Sequence, residues 1–224
     1  MPRPCGRDRR PRSRVVTALL WAFVLAPVAE VVRAQTPQEI FNQAVADFGA
    51  GRVEAAAVGF DQVARAQPGY APQLWQRGIA LYYAGRYGDC RRQFESHLTV
   101  NPNDVENSAW HFLCVARAES PEAALDALLP VGPDSRSPMR EIYEMFAGRM
   151  MPQDVLSAAA GQPQARFYAH LYLGLYHEAL GRTAAALEEI LVASDDRFAA
   201  VGGYMHMVAV VHRDLLVTTT TGVR

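Results

Sequence analysis

The chain has 224 residues, of which half are hydrophobic, with three cysteines and a formal net charge of −1. This length fits a short leader followed by one domain that is large enough to bury a hydrophobic core. Beyond residue 34 the formal charge falls to about −6, which disfavours nucleic-acid binding because a net-acidic surface repels the phosphate backbone. Two cysteines in that part of the chain exclude a disulfide-dense scaffold.

Residues 1–34 have the features of a secretory signal peptide. Six arginines form a basic head, and an apolar run follows from Val15 to Ala26. Val32 and Ala34 stand at the two positions that a signal peptidase reads, so we predict cleavage after Ala34 and an exported, periplasmic or extracellular protein. The apolar run is short for a transmembrane helix, so we expect no membrane span after cleavage. An uncleaved N-terminal anchor is the alternative.

Residues 35–214 are predicted to form one helical domain with an internal 34-residue period. This period, with an Ala-x3-Phe…Pro skeleton, is typical of the tetratricopeptide repeat, a helix–turn–helix unit. The residues that recur in phase are Gly51 and Gly85, Ala56 and Cys90, Phe60 and Phe94, and Pro68 and Pro102.

The period predicts four repeats. Those at residues 36–70, 71–104 and 165–194 have a Gly-Arg pair between their two helices, where glycine adopts a left-handed turn at low cost. The repeat at residues 105–130 is degenerate, because Glu119–Pro121 replaces the turn glycine. A small residue on each second helix precedes a large one by one turn, and we expect these pairs to pack where helices cross closely: Ala56 and Phe60, Cys90 and Phe94, Ala124 and Leu128, Ala186 and Ile190.

The remaining segments repeat less clearly. Residues 131–164 are predicted to be an irregular helical insert, with short helices at 139–146 and 153–160. A last helix at 197–213 is expected to cap the stack, and residues 215–224 to form a flexible tail. The predicted fold class is therefore all-α, a right-handed α-solenoid of about four tetratricopeptide hairpins with a C-terminal capping helix, because a single hairpin cannot bury its apolar face alone.

An aromatic strip is predicted to line the concave groove of this stack. Such a strip would hold a peptide by apolar contact, with tyrosine hydroxyls available for hydrogen bonds. The alternative is that several of these side chains pack between repeats. Trp75 and Tyr82 are the favoured ligand contacts, and the whole set comprises Phe41, Val45, Phe48, Trp75, Ile79, Tyr82 and Tyr83.

Cys90 and Cys114 lie on adjacent predicted helices, so a disulfide between them is an option. Two buried free thiols are the favoured interpretation, because Cys90 stands at a small crossing position. A zinc set that adds His97 and His111 lacks the paired short spacing of such sites. We therefore expect no metal, no cofactor and no catalytic residue.

Two runs resemble a known family of bacterial envelope proteins, the NlpI-like periplasmic lipoproteins with tetratricopeptide repeats. They are Gln76–Arg86, followed by Asn101–Asp104, and the Tyr-Leu-Gly-x-Tyr core at Tyr172–Tyr176. The likeness covers about residues 72–212. Trp110–Cys114 and Pro138–Tyr143 also resemble exported repeat proteins of unassigned activity. The resemblance implies a dimeric, non-catalytic adaptor that brings a protease together with peptidoglycan hydrolases, although this chain lacks the lipid-acceptor cysteine.

These patterns predict an exported, non-catalytic adaptor that binds a peptide or protein segment in its aromatic groove, with a homodimer as one option. Preorganised helices would hold the groove rigid, so that binding costs little entropy. Two alternatives stay open. One is an enzyme of unknown type that uses cysteine or histidine residues, and the other is a structural subunit of an envelope complex.

Overall fold

The computed structural model describes Pro2 and residues 35–221, with side chains as far as residue 218. The chain divides into two compact units, Met1–Ala34 and Gln35–Arg224. The predicted signal peptide coincides with the first unit and, apart from Pro2, lies outside the described residues. The second unit is all-helical over its described residues. None of the described helices combines the length and the hydropathy that a membrane span requires.

Twelve α-helices make up the described part of the second unit. The short helix expected at residues 139–146 is confirmed at both ends. In chain order the helices are α1 (Pro37–Gly49), α2 (Val53–Ala66), α3 (Trp75–Tyr83), α4 (Tyr87–Leu98), α5 (Val105–Ala118), α6 (Pro121–Asp126), α7 (Met139–Phe146), α8 (Pro152–Ala158), α9 (Pro163–Ala179), α10 (Thr183–Ala193), α11 (Ala199–Gly202) and α12 (Tyr204–Thr221).

Consecutive helices pack in pairs within each predicted repeat: α1 with α2, α3 with α4, α5 with α6, and α9 with α10. Neighbouring pairs also pack on one another, through α2 with α3 and α4 with α5. The turn residues Gly51, Gly85 and Gly181 have φ values of +74°, +70° and +71°. This is the left-handed conformation predicted for them, and it is the one that glycine adopts at least cost.

Small residues let the two helices of a pair approach closely. A Cβ atom at Gly78 would lie 2.6 Å from the Phe94 ring, and one at Gly174 would lie 2.5 Å from Cγ1 of Ile190. A larger residue at either position would therefore push the helices apart. The third repeat differs from its prediction, because α6 ends at Asp126 and Leu128 lies beyond it. Pro130 disfavours helical backbone at Leu129, so α6 could not have extended past Leu128, and it ends two residues earlier than that limit.

Cys90 and Cys114 form a disulfide between α4 and α5, with 5.8 Å between their Cα atoms. Both residues are fully buried. The favoured interpretation of two free thiols is therefore wrong, although their burial was expected. Cys90 is the small residue at a crossing, but it also faces α5, where Cys114 supplies the second sulfur atom.

The C-terminal segment differs from the single helix predicted at 197–213 and from the flexible tail that should follow it. Gly203 has a φ of +53° and separates the short α11 from α12. Helix α12 continues to Thr221, because its apolar residues extend a buried face as far as Leu216. It packs against both α1 and α10, so it reaches from the first helical pair to the last.

Candidate functional site

The seven predicted groove residues do not form an open surface, because three are buried and four are half-buried. Phe41 lies apart from the others and contacts Phe60 of its own hairpin, with 5.5 Å between ring centroids. Val45 packs against the core. The remaining five lie on the side where α12 packs, and we refer to them as the aromatic face: Phe48, Trp75, Ile79, Tyr82 and Tyr83.

Helix α12 is held on the aromatic face at two places. At its start, the Tyr204 ring stacks on Phe48 with 5.8 Å between centroids, and it meets Trp75 edge to face at 5.0 Å. Two turns further on, Nδ1 of His212 lies 3.0 Å from the Tyr83 hydroxyl. Aromatic pairs of this geometry stabilise by about 0.5–1.5 kcal/mol beyond their buried area. The face that we predict to bind a segment thus already holds a helix of the same chain.

A cavity of about 320 Å³ lies at the Tyr204 end of α12. We call it the Trp110 cavity. Its walls come from α3, α4, α5 and α9 and from the α11–α12 junction, and Arg136 of the loop before α7 also lines it. The side chains that matter for its chemistry are Trp75, Asp104, Glu106, Asn107, Trp110, Arg136, Tyr168 and Tyr204.

The Trp110 cavity carries more negative than positive charge. Arg136 contributes a guanidinium group to the cavity. Nitrogen atoms of this group lie 2.6 Å from Asp104, 2.5 Å from Glu106 and 2.6 Å from Asp134. Burial acts to lower the pKa of Arg136, but these carboxylates outweigh it and raise the pKa well above its ordinary value. The Arg136 guanidinium is therefore already paired with these three carboxylates of the same chain.

Glu106 contacts both Arg136 and Tyr172. Its second carboxylate oxygen accepts a hydrogen bond from the Tyr172 hydroxyl at 2.6 Å. Burial, and then the neighbouring charge of Asp104, raise the pKa of Glu106, although Arg136 and Tyr172 act to lower it. Burial and Asp104 thus disfavour the charged form of this carboxylate, and the contacts with Arg136 and Tyr172 oppose that effect.

Several buried polar groups on the Trp110 cavity have no hydrogen-bond partner among the described residues. They are both side-chain amide atoms of Asn107, Nε1 of Trp110 and the hydroxyl of Tyr204. Asn107 is 2% exposed and Trp110 is 1% exposed. Because the large majority of buried polar groups in folded proteins are paired, three side chains with unpaired polar atoms along one cavity are unusual.

A second cavity, of about 370 Å³, lies at the His212 end of α12. We call it the Glu178 cavity. The Tyr82 hydroxyl donates to Glu178 at 3.3 Å, and Nε2 of His212 and Nη1 of Arg117 lie 3.5 and 3.6 Å from the same carboxylate. Burial raises the pKa of Tyr82 and lowers that of His212, so both groups are neutral at pH 7. These contacts hold α12 against α3 and α9.

Sequence reasoning missed most of the residues that build these cavities. Asp104 was not among the predicted site residues; its carboxylate also caps α5 by accepting from the backbone N–H of Glu106. Tyr204 and His212 fall in a segment for which we predict a terminal cap. The pair Gly202-Gly203 was the available signal, because two glycines before an apolar run favour a break and a fresh helix.

No model of a known protein family matches this chain. The two cavities and the position of α12 are therefore the observations from which its function has to be inferred.

Proposed function

We propose that the chain is an exported, non-catalytic adaptor of the tetratricopeptide type, in which four helical hairpins stack in a right-handed manner. It binds a peptide or protein segment at the aromatic face. The observation that carries the proposal is that this face holds α12 through Phe48, Trp75 and Tyr83. Helix-in-groove recognition uses the same kind of aromatic and apolar anchors.

The proposed segment binds along the Tyr204 end of α12, with α12 itself as one wall of the surface. Trp75 remains half-exposed there and lines the Trp110 cavity. The His212 end of α12 offers less accessible aromatic surface, because Tyr82 is 5% exposed and its hydroxyl donates a hydrogen bond to Glu178. Of the two favoured ligand contacts, Trp75 is therefore the residue that a segment can reach without displacing α12.

Selection of peptides on the unit that begins at Gln35, followed by titration calorimetry, tests this proposal. Trp75→Ala should weaken binding of a selected peptide by at least about thirtyfold, because loss of an aromatic anchor costs 2 kcal/mol or more. Leu191→Ala on α10 is the matched control, since Leu191 is 50% exposed and lies away from the aromatic face. Equal binding by the wild type and Trp75→Ala, with both folded, would contradict the proposal, as would a selection that yields no binder.

Export is the part of the proposal that rests on residues 1–34 alone. The mature protein should begin at Gln35, because the predicted cleavage follows Ala34. Intact-mass measurement of the protein recovered from the envelope fraction checks this. A mass that includes the leader would favour the alternative of an uncleaved anchor.

The two alternative functions gain no comparable support. An enzyme that uses Cys90 or Cys114 would need a thiolate, and the two sulfur atoms are bonded to each other. A structural subunit would show a continuous apolar patch on second helices, whereas Val58 on α2 and Leu191 on α10 lie on different hairpins. Isolated exposed residues of this kind are ordinary on protein surfaces.

A further inference from the structure

We propose that the Trp110 cavity binds a guanidinium group, carried either by a free small molecule or by an arginine side chain of a bound segment. The inference goes beyond segment binding, because the residues of the cavity define the chemistry of the ligand. Only the second of these two sources depends on the proposed function.

The first observation is the set of unpartnered polar groups. The Asn107 amide and Nε1 of Trp110 are buried and have no partner within the described part of the chain. The Asn107 oxygen needs a donor, and a guanidinium offers five N–H donors in one plane. The Tyr204 hydroxyl, likewise unpaired among the described residues, can accept from a second of these donors.

The second observation is the charge of the cavity. Asp104 and Glu106 line the cavity beside Arg136. Asp134, which is not among the lining residues, also pairs with Arg136, so the positive charge of Arg136 is more than balanced. A second guanidinium would reduce this excess. Each carboxylate oxygen can accept more than one hydrogen bond, so Asp104 and Glu106 retain acceptor capacity beside Arg136.

The third observation is the aromatic lining. Trp75, Trp110 and Tyr204 supply ring surfaces to the cavity, and guanidinium groups bind favourably over such rings. The cavity already contains one instance of this contact, because the Arg136 guanidinium carbon lies 5.9 Å from the centroid of the Tyr168 ring.

Other ligand classes fit less well. An anion would meet the excess of carboxylates, and the guanidinium that could bind it is engaged by Asp104, Glu106 and Asp134. An apolar group would leave the Asn107 amide unpaired, which is costly in a buried site. Water alone could satisfy the amide, and this is the competing outcome that the experiment must distinguish.

The primary test compares two isosteric probes, N-acetyl-arginine amide and N-acetyl-citrulline amide, on the wild-type unit that begins at Gln35. Quenching of tryptophan fluorescence reports binding, because Trp75 and Trp110 line the cavity. We expect saturable binding of the arginine probe, at least about tenfold tighter than that of the citrulline probe. Equal binding of both probes would overturn the proposal, because the site would then not distinguish the charged guanidinium from a neutral urea group. Saturable binding of neither probe would also overturn it and would leave a cavity filled by water alone.

Substitutions locate the site. Glu106→Gln removes the central charge and keeps the shape, so it should weaken the arginine probe by at least about tenfold. Glu122→Gln on the exposed start of α6 is the matched control and should bind like the wild type. Asn107→Leu is a second variant that should also lose binding. Melting curves confirm that each variant is folded, and undiminished binding by folded Glu106→Gln and Asn107→Leu would refute this location.

The peptide Ac-Ala-Ala-Arg-Ala-Ala-amide and its citrulline counterpart separate the two sources. Tighter binding of the arginine peptide than of the free probe assigns the group to a bound segment, and the reverse order assigns it to a small molecule. Both orders support a guanidinium site. Failure of the proposed function has a different signature, in which Trp75→Ala leaves selected peptides unaffected while the free arginine probe still binds.

Discussion

The two ends of α12 lie beside cavities of similar size, about 320 Å³ at the Tyr204 end and about 370 Å³ at the His212 end. At the His212 end, tyrosine hydroxyls pair with Glu178 and with His212 itself. At the Tyr204 end, the Asn107 amide and the Tyr204 hydroxyl have no partner among the described residues. Cavities of similar volume thus differ in their hydrogen bonding: polar groups at the His212 end fix the helix, and the Tyr204 end is where we propose that a ligand binds.

The largest expected effect on stability comes from removing the Trp110 side chain, which lies between the two cavities. Trp110 lines the Trp110 cavity, and its ring centroid lies 5.5 Å from that of Tyr82 on the other side. Trp110→Ala should lower the free energy of unfolding by about 3–5 kcal/mol, because it leaves a large void in the core. Urea unfolding measures this loss. Tyr70→Ala, at an exposed ring, is the control, and similar losses in both variants would show that no packed wall separates the ends.

The next effect concerns α5, which carries Asn107 and Trp110. The disulfide from Cys90 to Cys114 closes a loop of 24 residues, and a loop of this length should contribute about 3 kcal/mol to stability. The double substitution Cys90→Ala, Cys114→Ala should therefore lower the urea midpoint, and dithiothreitol should have no further effect on it. A midpoint that responds to neither change would mean that α5 needs no bond to α4 to form the cavity.

A smaller pair of effects, opposite in sign, tests the comparison most directly. Tyr83→Phe removes a paired hydroxyl at the His212 end and should cost about 1 kcal/mol. Asn107→Leu removes an unpaired amide at the Tyr204 end and should stabilise the protein by about 1 kcal/mol, because a buried unsatisfied group carries a desolvation penalty. Equilibrium unfolding in urea measures the free energy of unfolding of both variants and of the wild type. Destabilisation by Asn107→Leu to the same extent as Tyr83→Phe would contradict the distinction between the ends.

The smallest effect is a pH dependence at the His212 end. Burial lowers the pKa of His212 below its ordinary value of 6.5, so the unfolded chain takes up a proton before the folded one. Above pH 6.5 both states are neutral there, and stability should decline as pH falls below that value. Burial lowers the pKa of His111 in the same direction. Unfolding at pH 7.5 and 5.5 should show a weaker pH dependence in His212→Asn, and an unchanged dependence would exclude His212 as the source.

The helical pairs could be predicted because each leaves a local and periodic record. Gly51 and Gly85 mark turns whose backbone only glycine adopts cheaply, and the apolar spacing of α5 fixes a helix from Val105 to Ala118. The predicted small–large pair of Cys90 and Phe94 does lie at a close crossing, where the Phe94 ring packs against Gly78 of α3. These features depend on residues within one repeat length of each other.

The position of α12 could not be predicted in the same way. The contact between Phe48 and Tyr204 joins residues that are far apart in the chain, and no repeat places them together. The periodicity of an apolar helix at the end of a stack does not show whether the helix caps the last pair or lies in the groove. The same limit applies to Glu106 and Asn107 at the start of α5, which resemble an ordinary solvated first turn until the loop carrying Arg136 and the start of α12 cover them.

Because α12 packs against both α1 and α10, the two extremities of the domain are mutually dependent. In a linear array, each repeat touches only its neighbours, and melting can spread inward from a frayed terminus. Here, loosening of α1 removes support from α12, and α10 then loses the same neighbour. We therefore expect a chain composed of helical pairs to unfold as one cooperative body, because its last helix joins the first pair to the last.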